Sequence, residues 1–198
     1  GFRANAVGVL RLWAARSNKP FDFHAFGQGE YMRAMNEQAE AEMITKVLYP
    51  SDDHDEGKIL RLKQEYFLVS AAMQNVVSDH IKRYGTFDSF TKMVAVHIND
   101  THPALAVAEL MRIMIDEYHL SWDYAWKLVT EVTAYTNHTV MAEALECWPE
   151  YIFKSLLPRI YQIVVEINER ACREFWDKTQ DWKKVSDLAI VAYGQVRM

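Results

Sequence analysis

The sequence predicts an α/β fold that is rich in helix and poor in strands. Three observations lead there. Two apolar, β-branched runs, 93–98 and 132–136, each end in a knot of Asn, Asp, Thr or His residues followed by a helical pattern. Long stretches around them repeat apolar residues at helical spacing. Strands separated by helices give the α/β order, but a complete doubly wound sheet takes more strands than these 198 residues supply.

In chain order, Ala6–Trp13 is β-branched and apolar enough for a short strand, and Ser17–Gly27, with Asn18, Pro20 and clustered aromatics, reads as a loop. Gly29–Val47 is helical, with Tyr31, Met35, Ala39, Met43 and Val47 on one stripe. Pro50 and the acidic cluster Ser51–Glu56 end it as a loop whose carboxylates suit the start of another helix. That helix spans Gly57–Arg83 and closes at Gly85. After the strand 93–98, Pro103 stands in the first turn of a helix reaching Tyr118. Ser121 caps a helix to about Val129. The strand 132–136 leads through Asn137, His138 and Thr139 to a further helix near Ala142. A long amphipathic helix runs from Pro149 through Phe175, Trp182–Leu188 forms a short helix, and Gln195–Met198 begins another strand. No repeat or Gly/Ser linker marks a boundary, so 1–198 reads as a single segment.

Half of the residues are hydrophobic and 13% are aromatic, which excludes a disordered chain. A net charge of −5, a pI near 5.8 and the lack of a basic stripe argue against nucleic-acid and anionic-membrane partners. Cys147 and Cys172 lack metal-type spacing and read as reduced thiols of a cytoplasmic protein. No apolar run has membrane-spanning length, and the start lacks the apolar core of a signal peptide. The opening on Gly1 and the strand-like end at Met198 read as cuts in a longer chain.

The chemistry is concentrated at the strand ends. In open α/β folds ligands bind outside the carboxyl ends of strands, where this chain places Asn99, Asp100 and His102 after one run and His138 after the other. Such donors and acceptors suit a polyhydroxylated ligand, although the same residues serve ordinary helix starts or a satisfied histidine. A zinc reading gathers His97, His102, His138 and Asp100 without a recognised ligand spacing. Glycoside hydrolysis needs two facing carboxylates, and Asp100, Glu143, Asp52 and Asp53 are available. Tyr49, before Pro50, is either a sugar-stacking platform or a helix-end aromatic. Neither G-x-G-x-x-G nor a Walker pattern occurs.

Several long motifs together resemble one family. Leu60-Arg-Leu-Lys-Gln-Glu-Tyr-Phe67, Ile98-Asn-Asp-Thr-His-Pro103, Ala134-Tyr-Thr-Asn-His-Thr139 and Glu143-Ala-Leu-Glu-Cys-Trp-Pro149 are similar to segments of the glycogen, starch and maltodextrin phosphorylases. Val9-Leu-Arg-Leu-Trp13, Leu156-Leu-Pro-Arg159 and Glu166-Ile-Asn168 fit as well, and Val140-Met-Ala-Glu-Ala-Leu145 resembles bacterial members. The resemblance implies a fragment of a Rossmann-like N-terminal domain of GT-B type, its later part, without the C-terminal pyridoxal-phosphate domain.

The implied family reaction transfers the terminal α-1,4-linked glucose of a glucan to phosphate, giving glucose 1-phosphate with retention. Pyridoxal phosphate is implied in the full-length parent and not in this segment, and the parent is implied to be a homodimer. By the same resemblance His138 is catalytic, with its side chain on the sugar 6-hydroxyl and its backbone carbonyl facing developing positive charge. Asp100 and His102 line the acceptor side, Glu143 supports the site, Tyr49 stacks on a glucan ring, and the Asp52–Asp53 loop gates access. Animal members carry Asn where Ser51 and Asp53 stand and an aromatic at His54, and Cys147 replaces a commonly basic residue. The segment alone is expected to be inactive. A helical carbohydrate-binding or regulatory module and a metal hydrolase are the competing readings.

Overall fold

The computed structural model describes residues 2–141 and 145–197, in two compact units, 1–50 and 51–198. The sequence carries no linker signature at that division.

The first unit opens irregularly. The strand expected over Ala6–Trp13 does not form: Val7, Val9, Leu10 and Leu12 are exposed and no described segment of this unit pairs with them. Strand propensity gives no ladder without a neighbour to satisfy it. The expected loop instead contains a one-turn helix, α1 (Phe23–Gly27), because Asp22 caps it, its Oδ1 accepting from the Ala25 amide at 2.9 Å. Phe21 packs edge-on against Phe23 and tilted against Phe26, and Phe26 packs edge-on against Tyr31. Gly29 at φ +81° turns the chain into α2 (Tyr31–Lys46). Only Ala34 of α2 is buried; Tyr31, Met35, Met43 and Val47 face solvent within the chain.

The second unit is built on α3 (Asp55–Tyr84), 30 residues long. His54 caps it, Nδ1 accepting from the Gly57 amide at 2.9 Å, with Asp55 and Glu56 in the positive first turn. Gly85, left-handed at φ +76°, donates its amide to the Ile81 carbonyl and ends the helix. The one-turn α4 (Phe90–Met93) follows, so the strand expected from Met93 begins later, as β1 (Val96–Asn99).

Pro103 precedes α5 (Ala106–Arg112), which widens into a π turn over Ile113–Glu117, with Tyr118 N donating to Ile113 O. Ser121 caps α6 (Trp122–Val132), which runs directly into β2 (Thr133–Thr136). β1 and β2 are parallel, with Val96 opposite Thr133 and Asn99 opposite Thr136, so α5 and α6 form the crossover that parallel strands require. The helix expected near Ala142 lies outside the described residues.

A second, antiparallel sheet was legible only at its last strand. β3 (Cys147–Pro149) precedes α7 (Glu150–Leu156) and α8 (Pro158–Thr179), and α9 (Trp182–Leu188) leads to β4 (Val191–Ala192) and β5 (Gln195–Arg197). β5 is central in the order β3-β5-β4. Tyr193 and Gly194, at φ +54° and +71°, make the two-residue hairpin turn. The single helix expected over Pro149–Phe175 is two. Pro158 has no amide hydrogen and forces Leu157 out of helical geometry, to φ −128° and ψ 58°.

The core of this unit joins Leu62, Val69 and Val77 of α3 to Leu110, Met111 and Met114 of the α5 region, to Val129, and to Ile160 and Ile163 of α8. Fully buried Glu109 crosses it, accepting from Tyr66 Oη, Ser70 Oγ and Arg112.

Candidate functional site at the parallel strand ends

The parallel register sets the site. With Asn99 opposite Thr136, the residues leaving β1 (Asp100, Thr101, His102) lie beside those leaving β2 (Asn137, His138, Thr139). Asp100 extends the ladder by one bond, its amide donating to Thr136 O at 2.8 Å. The chain then reverses at Asp100 itself, φ +69°, a conformation Asp tolerates because its short side chain bonds locally. Asp100 Oδ1 accepts from the Thr101 amide at 2.9 Å, and Thr139 Oγ1 donates to Oδ1 at 2.9 Å and Oδ2 at 3.2 Å.

The other strand end is cross-tied in the same way. His138 Nε2 meets Asn99 Oδ1 at 2.6 Å, and His97 Nε2 meets Thr136 Oγ1 at 2.7 Å. Asn137 folds over Thr139, its Nδ2 donating to Thr139 O and its Oδ1 accepting from the Thr139 amide. Loss of solvation works to raise Asp100, but the Thr139 hydroxyl, the Thr101 and His138 amides and the nearby imidazole outweigh it. They hold Asp100 below the usual carboxylate range. The result is an exposed array of hydroxyl, amide and imidazole groups around one ionised carboxylate, suited to an uncharged polyol.

Of the residues expected to act together, the fold brings Asp100 and His138 into one cluster through Asn99 and Thr139. His102 stands exposed in the turn that follows. Asp52 and Asp53 lie before α3 instead: Asp52 Oδ2 is 3.6 Å from Arg61 Nη1, and Asp53 accepts from Ser51 Oγ at 2.8 Å. Tyr49 belongs to the first unit, is exposed, and has the left-handed φ of +59°. Glu143 lies outside the described residues. Among the described residues no group of three or more His, Cys, Asp or Glu stands together as metal ligands, and the rings of His97 and His138 are engaged by Thr136 and Asn99. No helix among the described residues is long and apolar enough to cross a membrane.

A second polar cluster lies outside the residues expected to form the site. Arg61 joins Glu65, one helical turn on, to Glu146, which precedes β3; its Nε lies 3.2 Å from Glu65 Oε1 and 3.0 Å from Glu146 Oε1. Burial, then the facing Glu146 carboxyl, push Glu65 well above the usual carboxylate range against the pull of Arg61. Glu65 is therefore favoured in its protonated form beside Arg61 and Glu146. The i,i+4 spacing of Arg61 and Glu65 was a readable signal; the partner 85 residues away was not.

Comparison with known proteins supplies an independent line. Residues 1–198 match the family model described as Carbohydrate phosphorylase. The chain is 47% identical over 199 aligned residues to a glycogen phosphorylase of Bacillus subtilis (strain 168), covering 100% of this chain and 24% of that protein. It is 48% identical over 170 residues to a glycogen phosphorylase of Chlamydia trachomatis, covering 86% of this chain and 21% of that one. It is 46% identical over 178 residues to the muscle form of glycogen phosphorylase from Ovis aries, again with 86% and 21% covered. The chain thus spans about a quarter of the length of the curated relatives it matches.

Proposed function

The chain belongs to the carbohydrate phosphorylase family, and from that premise we propose that it is part of an α-glucan phosphorylase, the later part of its N-terminal domain. The activity is transfer of the terminal α-1,4-linked glucose of a glucan to phosphate, releasing glucose 1-phosphate. The observation that carries the reading is the parallel register that sets the Asp100 and His138 strand ends side by side. An uncharged sugar needs many hydrogen-bonding groups at fixed positions, and this array supplies them from two rigid strands.

In this reading His138 contacts the sugar whose bond breaks, its imidazole on a hydroxyl and its carbonyl dipole toward the positive charge that develops at the reacting carbon. A positioned dipole of this kind acts mainly in the transition state. Asp100 and His102 line the side where the rest of the glucan lies, Glu143 supports the site, and Tyr49 stacks on a sugar ring. The Asp52–Asp53 loop gates the approach, held at its base by Arg61. Pyridoxal phosphate is proposed to be held by the rest of the full-length polypeptide; the strand-end residues include no lysine amine to hold it. The same polypeptide is proposed to be cytoplasmic and homodimeric, with the exposed stripe of α2 facing the second copy.

The test is direct. A full-length phosphorylase carrying this segment, given maltodextrin and inorganic phosphate, is expected to release glucose 1-phosphate only when both are present. Glucan binding without any phosphate-dependent release would refute the proposal and favour a binding module.

A further inference from the structure

The hydrogen bond between Asn99 and His138 has a chemical consequence for the ring. A carboxamide oxygen only accepts, so the nitrogen facing Asn99 Oδ1 at 2.6 Å must carry the proton. In a neutral imidazole the other nitrogen, Nδ1, is then bare, and it makes no hydrogen bond to any described residue. We propose that Asn99 is a positioning residue that holds His138 as the Nε2–H tautomer, so that Nδ1 presents a lone pair to a hydroxyl hydrogen of the bound sugar. The catalytic half of this inference rests on the placement of His138 proposed above; the tautomer does not.

The strand geometry explains why the partner is a neutral amide although a carboxylate stands next to it. Asn99 is the last ladder residue of β1, opposite Thr136, two residues before His138. Asp100 follows, but its left-handed backbone turns its carboxylate onto the Thr139 hydroxyl and the Thr101 amide instead of onto the ring. A carboxylate on Nε2 would favour the imidazolium, whose Nδ1 donates instead of accepting. An amide orients the ring without that bias. The titratable groups at this end of the sheet are Asp100, His102, His97, whose ring meets Thr136 Oγ1, and the Tyr135 hydroxyl, which donates to Asn137 Oδ1. Of these, the Asp100 carboxylate is the one electrostatically coupled to the imidazole.

Two measurements test this on the full-length enzyme. Nitrogen-15 NMR of histidine-labelled protein, with the His138 signals assigned by their loss in His138→Ala, is expected to show a protonated Nε2 and a bare Nδ1 near neutral pH. The opposite tautomer overturns the proposal without any Asn99 variant having to fold. In steady-state kinetics Asn99→Asp is expected to move the acidic limb of kcat/KM upward by about one pH unit or more, since a carboxylate at hydrogen-bond distance stabilises the imidazolium. Asn99→Ala is expected to lower kcat/KM by roughly five- to tenfold, the worth of one hydrogen bond. A merely structural Asn99 would lower the melting temperature and leave the pH limb in place. An unmoved limb in folded Asn99→Asp, with His138→Ala crippled, overturns the positioning role. Wild-type turnover by His138→Ala overturns the functional placement instead, and the NMR reads the tautomer independently.

Discussion

Removing the Glu109 carboxylate is expected to be among the most destabilising single changes in the second unit. Its side chain is 0% exposed and accepts four hydrogen bonds: Arg112 Nε and Nη2 at 2.8 Å each, Tyr66 Oη at 2.9 Å and Ser70 Oγ at 2.7 Å. It fastens α3 to α5 across the core. In Glu109→Ala the Tyr66 and Ser70 hydroxyls lose their acceptor at about 1 kcal/mol each. The Arg112 guanidinium, 18% exposed, retains its ion pair with Glu117, at 2.9 Å. Breaking a buried pair while leaving its cation behind costs about 3–5 kcal/mol in all. Tyr66→Phe, which removes one donor and leaves the pair intact, is expected to cost only about 1 kcal/mol. Urea unfolding followed by tryptophan fluorescence and circular dichroism together measures both. A Glu109→Ala loss below about 1 kcal/mol, or one equal to that of Tyr66→Phe, would show that the carboxylate does not hold the helices together.

Three further outcomes are expected. Glu65→Gln should gain stability relative to wild type as pH rises: the raised Glu65 carboxyl contributes fully below its ordinary value of 4.5, and that contribution is lost as pH rises through the higher folded value. A stability difference that stays flat between about pH 5 and 8 would contradict the raised Glu65 carboxyl. Gly57→Ala should destabilise by roughly 1–3 kcal/mol and displace the loop before α3, because its Cβ would stand 1.7 Å from the Ser51 carbonyl oxygen; unchanged melting and an unchanged loop in a crystal structure of the variant would count against that contact. The stripe of α2, with Tyr31 58% and Met35 57% exposed, should drive self-association that Met35→Glu weakens; a monomer at every concentration in sedimentation would contradict it.

How far the sequence was legible depends on how local each determinant is. Helix α3 and its end at Gly85 were readable because such a cap acts within one turn, whereas its start, expected at Gly57, comes at Asp55 with His54 as the cap. The strand ends were readable for a similar reason: apolar, β-branched runs stop at Asn99 and Thr136, and polar residues follow at once. Pairing was not readable. Ala6–Trp13 has strand composition and no partner, whereas Cys147–Pro149 has little strand character and is paired because β5 lies beside it. Pro158 was a visible breaker inside an apolar periodicity that nonetheless read as continuous. At the site, composition gave the residues, but the contacts of His138 with Asn99 and of Asp100 with Thr139 each join positions 39 apart in the chain. They follow from register, which local pattern does not set.

The most direct measurement compares two substitutions in the full-length enzyme. If His138 is placed as proposed, His138→Ala lowers kcat and kcat/KM together, since it removes contacts that strengthen as charge develops, worth about 2–4 kcal/mol. On the proposed placement of Tyr49, Tyr49→Ala is expected to raise KM for long glucans while largely sparing kcat, because stacking on a sugar that does not react is equal in ground and transition states. The reverse pattern, with Tyr49→Ala abolishing turnover at saturating glucan and His138→Ala changing only KM, would contradict the placement of the reacting sugar at the β1–β2 strand ends.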